Sequence, residues 1–399
     1  MNILVTGARA PVALDLARRC HRAGHRVIML DSFRESPGLW SRCVAKSYVT
    51  PQPAFAFNEF AAALGKIVDD EQIDWIIPTC EEVFFIAACQ DQLNCRVLTD
   101  RLDKLRQLHD KWTFSQHASN EFTRVPETVL IPPPAARVAS STPLPWEGDE
   151  TSWVFKPTYS RFASRTLIGP SRDVLQRMLS NTTDSWVAQR RVRGCEYCSY
   201  SVAINGELVA HVAYESLYRA GLGAGIYFQP RELPPIAQFV RTLVRQHNYT
   251  GQIGCDFIRD DAGQFWVLEA NPRATSGLHL FDNGPELIHV MLQTGDSTAA
   301  NSSPLPRIDL RPSMVEFAMP LWGLRDALRH GKLLRFLPDC LTARWAMTSV
   351  TDPVPTLILP VTLAYLIRTS LREGISQQAA STRDLEWNGE ELGLSGADS

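Results

Sequence analysis

Net charge of either sign is small in this sequence. Its 40 Lys and Arg nearly balance 43 Asp and Glu, for a formal net charge of −3. Without a basic field or a long basic run, a polynucleotide is not an expected partner. A secretory layout is also missing: the chain opens on strand-like Ile3-Leu4-Val5, not on a basic and then apolar stretch, which predicts a cytoplasmic protein. Nine cysteines scattered through apolar segments are an odd count, fitting free thiols and not a closed disulfide framework. Cys195 and Cys198 have C-x-x-C spacing, but no second ligand pair lies nearby for zinc. In the strand expected there the two would face opposite sides. Neither a H-E-x-x-H motif nor a G-x-S-x-G elbow occurs, and there is no internal repeat. The apolar run Pro355 to Ile367 is interrupted by Pro360 and falls short of the roughly 20 residues that span a bilayer. It predicts a helix packed on the main body, with association at a membrane surface or partner as the alternative.

What is present is enough for two or three domains in 399 residues, 45% of them hydrophobic. Residues 1 to about 100 alternate strand and helix: Ile3 to Thr6, a turn at Gly7, and a helix from Pro11 to about Ala23 stopped by Gly24. Strands follow at Arg26 to Asp31, Trp75 to Pro78 and Arg96 to Leu98. That alternation predicts a parallel sheet covered by helices. Pro132-Pro133-Pro134 and the Ser/Thr/Pro stretch at 139–145 read as connections. Residues 151–275 are strand-rich, with Asn205-Gly206 predicting a hairpin turn.

The chemistry concentrates in Gly254 to Arg273, which reads as two strands joined by a turn at Asp260 to Gly263. Asp256 is expected to close one strand and Glu269 the other, so that a hairpin brings the carboxylates together. Asn271 adds an amide oxygen, completing a hard-oxygen set that suits Mg²⁺ when phosphate supplies the remaining ligands. Arg273, two residues on, can reach a transferred phosphoryl group. A surface hairpin with acidic ends would leave Asn-Pro-Arg unexplained.

Glu269-Ala270-Asn271-Pro272-Arg273, with Asp256 upstream, resembles the metal-binding signature of the ATP-grasp superfamily, over roughly residues 1–300. The resemblance implies an α/β fold: an N-terminal parallel-sheet layer (1–105), a two-lobed α+β ATP-grasp domain (106–300) and a C-terminal extension (301–399). It also implies ATP with Mg²⁺, or Mn²⁺, and metal ligands Asp256, Glu269 and Asn271. Lys111 and Lys156 resemble the two nucleotide-contacting lysines, although each taken alone also fits a solvated surface charge. Glu196 resembles the ribose-binding carboxylate, and Val187 to Val192 the hinge strand whose backbone pairs with adenine.

Two departures stand out. A glycine-rich loop usually follows the second lysine, whereas this chain has Tyr159 to Arg165 with no glycine until Gly169. Hydroxyls of Ser160 and Ser164 and a guanidinium from Arg161 or Arg165 are the expected substitutes. In the hinge, Arg190 stands where the family often has Glu, and Gln189 is the candidate acceptor for the adenine amine.

The implied reaction is carbon–nitrogen ligation. Phosphoryl transfer from ATP to a carboxylate gives an acyl phosphate and ADP, and an amine then displaces phosphate, with Arg273 as the catalytic residue. Small-molecule carboxylate and amine substrates are the expected partners. Dimers are common among similar proteins, and the sequence leaves oligomeric state open. Two alternatives remain: an NAD(P)-dependent epimerase or reductase, resting on Thr6-Gly7-Ala8 with Asp31, and a catalytically silent nucleotide-binding protein. Cys80-Glu81-Glu82, after the Ile76 strand, either faces the site or forms a solvated helix start.

Overall fold

The computed structural model of the protein describes residues 1–136, 144–160, 165–221, 223–293 and 306–392. Its first layer is a parallel sheet of β1 (Asn2–Thr6), β2 (Arg26–Asp31), β3 (Lys46–Val49), β4 (Trp75–Ile77) and β5 (Arg96–Val97). The strand order is β3-β2-β1-β4-β5. Leu4 packs into one apolar cluster while Ile3 and Val5 pack into another. Burial on both faces is why β1 reads as an unbroken apolar run. β3 went unrecognised in the sequence because it is a mostly exposed edge strand.

Strand order reverses between β1 and β4, where open sheets form their crevice. Gly7 sits there with φ +73°, and a Cβ on it would lie 2.7 Å from the Thr79 hydroxyl oxygen. The dinucleotide alternative needs Asp31 for a ribose. That carboxylate instead accepts the Arg9 backbone N–H at 2.7 Å and pairs with the Arg9 guanidinium.

Two antiparallel sheets follow. The smaller holds β6 (Thr128–Ile131), β7 (Trp153–Pro157), β8 (Leu167–Ile168) and β9 (Trp186–Arg190), in the order β6-β9-β7-β8. Trp146, Trp153, Phe155 and Trp186 fill its core. The larger has β10 (Cys195–Ile204), β11 (Glu207–Ala220), β12 (Ala224–Arg231), β13 (Gly251–Arg259), β14 (Phe265–Asn271), β15 (Ser313–Met314) and β16 (Arg344–Trp345). Its order is β14-β13-β10-β11-β12-β15-β16. Asn205 and Gly206 both have positive φ, 49° and 78°, as a two-residue hairpin turn requires.

The C-terminal residues are woven into this body. β15 and β16 extend the large sheet, and Trp387 stacks on Phe84 at 4.9 Å and meets Tyr159 edge-on at 5.1 Å. Trp387 is 1% exposed. Trp387→Leu is therefore expected to cost roughly 2 kcal/mol, less than full truncation of a buried aromatic. A urea unfolding midpoint equal to that of the wild type would contradict this packing.

The apolar tail run forms the expected helix, but one longer and more exposed than expected. It belongs to one 20-residue helix, Val354–Glu373, which passes through Pro360 and buries only Pro355 and Thr362. By length and composition this helix could cross a membrane. It meets the body along one stripe, where the Thr362 hydroxyl donates to the Glu35 carbonyl at 2.5 Å and Tyr365 stacks on Phe33 at 4.8 Å. Pro360 lies in the interior of this helix, where it removes one i→i−4 N–H bond without ending the helix.

Candidate active site

The site is built on a row of residues paired across four strands. Tyr214 on β11 faces Cys198 on β10, Cys198 faces Asp256 on β13, and Asp256 faces Glu269 on β14. Directly paired residues project to the same face of a sheet. Asp256 and Glu269 lie inside their strands, so the expectation that each closes a strand is corrected. What juxtaposes them is a β-bulge. From Arg259–Phe265 to Phe257–Val267 the register would set Asp256 opposite Leu268, but it shifts there and Asp256 meets Glu269. Without that extra residue Glu269 would point to the opposite face.

Lys156, on β7 of the small sheet, reaches across to Glu269 with Nζ 3.4 Å from Oε2. Lys111 Nζ lies 3.8 Å from the same oxygen. Both lysines are buried, which sets aside the reading of solvated surface charges. Lys111 opens the helix Lys111–His117, where Asp110 accepts the Thr113 N–H as N-cap. A cation at a helix N-terminus is disfavoured by the dipole. Here Glu269 and the carbonyls of Thr158 and Ser160, at 3.5 and 3.3 Å, offset it.

Electrostatics separate the two carboxyls. Burial opposes ionisation of Glu269, but Lys111, Lys156 and His109 outweigh it and hold the carboxyl well below the usual carboxylate range. Asp256 is pushed above the usual carboxylate range by burial and by the Glu269 charge, against the opposing Cys198 thiol, Arg219 and Arg273. Burial draws Lys111 below the usual lysine range, partly countered by Glu269.

Asn271 Nδ2 donates to Asp256 at 3.2 Å, and Asn271 Oδ1 accepts from Arg273 at 3.2 Å. Among the described residues no group of three or more His, Cys, Asp or Glu could hold a metal unaided. Two carboxylates plus an amide fit Mg²⁺, which keeps waters and phosphate oxygens as further ligands. Asn271 would present its oxygen after an amide turn that leaves the heavy-atom outline nearly unchanged.

Arg273 also lies 3.7 Å from Glu81. Glu81 and Glu82 are each 1% exposed, so the solvated helix start is overturned. Glu82 turns inward, accepting the Thr6 hydroxyl at 2.6 Å and the N–H groups of Thr79 and Cys80 at 3.0 and 3.1 Å. Glu82 thus braces the sheet crevice, while Glu81 joins the first layer to the site.

The expected hinge is shorter than read, because the strand ends at Arg190 and Val192 lies between β9 and β10. Gln189 is buried and donates to the Thr128 hydroxyl at 3.1 Å. Arg190 pairs with Asp149 at 2.9 Å and lies over the Trp153 ring. Just beyond, Gly194 (φ +153°) crosses from the small sheet to the large one, where a Cβ would fall 2.0 Å from the Arg259 carbonyl oxygen. Glu196, half exposed on β10, is paired with Arg219.

Ser160 follows the Lys156 strand and meets Lys111 through its carbonyl. Arg161 and Ser164 lie outside the described residues. Arg165 pairs with Asp184 at 2.5 Å. Sequence reasoning missed Cys198, Tyr214, Arg219 and His109 as neighbours of the carboxylates. Cross-strand register alone brings in the first two, and no local motif announces it.

No protein-family model matches the sequence, and no curated protein matches it either. Solved structures do match in three dimensions. N5-carboxyaminoimidazole synthetase from Staphylococcus aureus aligns with TM-score 0.56 at 13% identity, over 82% of this chain and 86% of that one. Biotin carboxylase from Campylobacter jejuni gives 0.56 at 14%, covering 78% and 73%. L-amino acid ligase from Bacillus licheniformis gives 0.52 at 14%, covering 69% and 68%. The fold is the ATP-grasp fold. In ATP-grasp terms, the parallel sheet is the preceding α/β layer, and the two antiparallel sheets are the lobes between which Lys156 meets Glu269.

Proposed function

We propose that the protein is a carbon–nitrogen ligase that activates a carboxylate with ATP and couples it to an amine, releasing ADP and phosphate. The observation that carries this reading is the opposition of Asp256, Glu269 and Asn271 to Lys111 and Lys156 across the cleft. Three hard oxygen donors facing two ammonium groups suit a metal-bound polyphosphate. Asp256, Glu269 and Asn271 would hold Mg²⁺ or Mn²⁺, which supplies charge neutralisation at the phosphates. Residues 1–105, 106–300 and 301–399 are the proposed layer, grasp domain and extension.

Lys111 and Lys156 bind phosphate oxygens, with Ser160 and Arg161 as further candidate phosphate contacts. Glu196 takes the ribose hydroxyls once Arg219 yields. Gln189, Arg190 and Val192 border the adenine, with Gln189 accepting its exocyclic amine. The substrate carboxylate oxygen attacks the γ-phosphorus and ADP leaves, while Arg273 stabilises charge on the transferred group. The amine nitrogen then attacks the acyl carbon, phosphate departs, and the amine proton passes to solvent. In support, the Staphylococcus aureus synthetase has been solved in complex with ADP. A biotin carboxylase domain from Hydrogenobacter thermophilus has been solved with MgADP.

The test is ADP and phosphate release by the full chain with Mg²⁺, over pools of carboxylates and amines. Pool-dependent ADP release, reduced about a hundredfold or more in Arg273→Ala, is the expected result. Release of AMP would replace the acyl phosphate by an acyl adenylate and overturn the mechanism. Tight ATP binding with no turnover across the pools would favour a silent nucleotide-binding protein.

A further inference from the structure

The C-terminal helices carry apolar side chains on the wrong face. In the helix Leu333–Thr342, Phe336 turns inward to meet the Tyr218 ring at 5.7 Å. Leu334, Leu337 and Leu341 turn outward and are 95, 65 and 77% exposed. Their i, i+3, i+7 spacing lays them along one solvent-facing stripe. The preceding helix, Leu324–Arg329, buries Ala327 and exposes Leu328, and Trp322 is exposed just before it. Single exposed leucines are ordinary, but a stripe of them on adjoining helices marks an interaction surface.

Charge indicates what that surface meets. Between residues 321 and 341 there are four Lys or Arg and two Asp, in a chain of net charge −3. Both acids face inward: Asp326 is paired with His330 at 3.2 Å, and Asp339 accepts from the Tyr218 hydroxyl at 2.7 Å. Arg325 and Arg329 remain exposed beside the leucines, as does Arg335, whose guanidinium lies 3.5 Å from Asp339. Outward leucine and tryptophan flanked by arginine, with acids withdrawn, is the pattern of a helix lying in a bilayer interface. Arginine stems can lie along acyl chains while their guanidinium groups meet lipid phosphates. The long helix Val354–Glu373 repeats the pattern, with Leu357 and Leu371 outward and Arg368 and Arg372 at its C-terminal end.

We propose that the helices spanning 324–342 dock in the plane of an anionic lipid bilayer, holding this protein at a membrane surface. The occupant is a lipid surface and not a spanned bilayer, because the stripe covers one side of each helix while the other packs on the large sheet. Helix Val354–Glu373 stays pinned through Thr362 and Tyr365.

Co-sedimentation of the full chain with phosphatidylcholine vesicles, with and without phosphatidylglycerol, tests this. Binding is expected on the anionic vesicles, weakening as salt is raised. Leu334→Ser with Leu337→Ser and Leu341→Ser should lower the partition coefficient about tenfold or more, with an unchanged circular-dichroism melt. Arg329→Glu with Arg335→Glu should produce a loss of similar size on the anionic vesicles only. The proposal falls if the wild type does not sediment with anionic vesicles, or if the leucine variant binds as well as the wild type. It also falls if sedimentation velocity finds a dimer that the leucine variant dissolves while vesicles bind nothing, since the face would then belong to a second copy.

Discussion

Glu269→Gln should reduce ADP-forming turnover by about a thousandfold or more, because it removes a charge that two lysines share and that the proposed mechanism also gives to a metal. The lost electrostatic stabilisation amounts to several kcal/mol, and each 1.4 kcal/mol is a factor of ten in rate. Stability should fall as well. Lys111 and Lys156 meet the Glu269 carboxylate at 3.8 and 3.4 Å, and glutamine leaves two buried ammonium groups without it. Breaking a fully buried pair costs several kcal/mol, and the partial exposure of Glu269 brings the expectation down to about 2 kcal/mol. The sign of the pH dependence follows from Lys111. Burial already lowers its pKa, and loss of Glu269 lowers it further, so the unfolded chain binds that proton more tightly than the fold does. The variant should therefore regain stability relative to the wild type as pH rises toward the ordinary lysine range. Denaturant titrations at neutral and alkaline pH, beside ADP assays, would check this. Turnover within tenfold of the wild type would remove Glu269 from the machinery.

Arg19→Ala is the second large effect, and it concerns folding. Arg19 is 1% exposed and bonds Asp15 at 2.9 Å, the Phe281 carbonyl at 3.1 Å and the Asp282 carbonyl. His279 meets the other Asp15 oxygen at 2.8 Å. The guanidinium thus ties the first helix, Pro11–Arg22, to the segment following Arg273. Alanine would leave a buried carboxylate short of its main partner and two carbonyls without this donor. The expected loss is about 4 kcal/mol. Burial raises the Asp15 pKa, but Arg19 and His279 outweigh it and hold the carboxyl far below its usual range. A depressed folded pKa contributes stability above the unfolded value of about 3.9 that is lost as pH falls below it. The wild type should therefore lose this increment below about pH 4, and Arg19→Ala should show a shallower acid limb. Parallel acid limbs would refute the coupling.

Much of the fold was legible in the sequence for identifiable reasons. β1 and β2 are buried on both faces, so they read as apolar runs, and Gly24 stops the intervening helix with φ +82°. Asn205-Gly206 announces its turn because few other residues adopt two successive positive φ values. β3 was missed because an exposed edge strand has little apolar pattern. Val354–Glu373 was underestimated because only the apolar run Pro355 to Ile367 was counted, while the helix continues through Arg368 to Glu373. In the site, Lys111, Lys156, Asp256, Glu269, Asn271 and Arg273 were all named from motif and position. Cys198, Tyr214 and Arg219 were not assigned there, and Glu81 was left between the site and a solvated helix start, since their places depend on strand pairing and on the first layer meeting the large sheet.

The sequence by itself singled out the candidate side chains Lys111, Lys156, Asp256, Glu269, Asn271 and Arg273, and placed Asp256 and Glu269 on two strands of one hairpin. It could not determine that they face each other. A regular hairpin through Arg259–Phe265 would set Asp256 against Leu268 and turn Glu269 away, because side chains alternate with a period of two. One bulged residue reverses that, and only the packing of both strands in the sheet selects it. The meeting of Lys156 with Glu269 is likewise tertiary, since 113 residues separate them and two different sheets must close on one cleft.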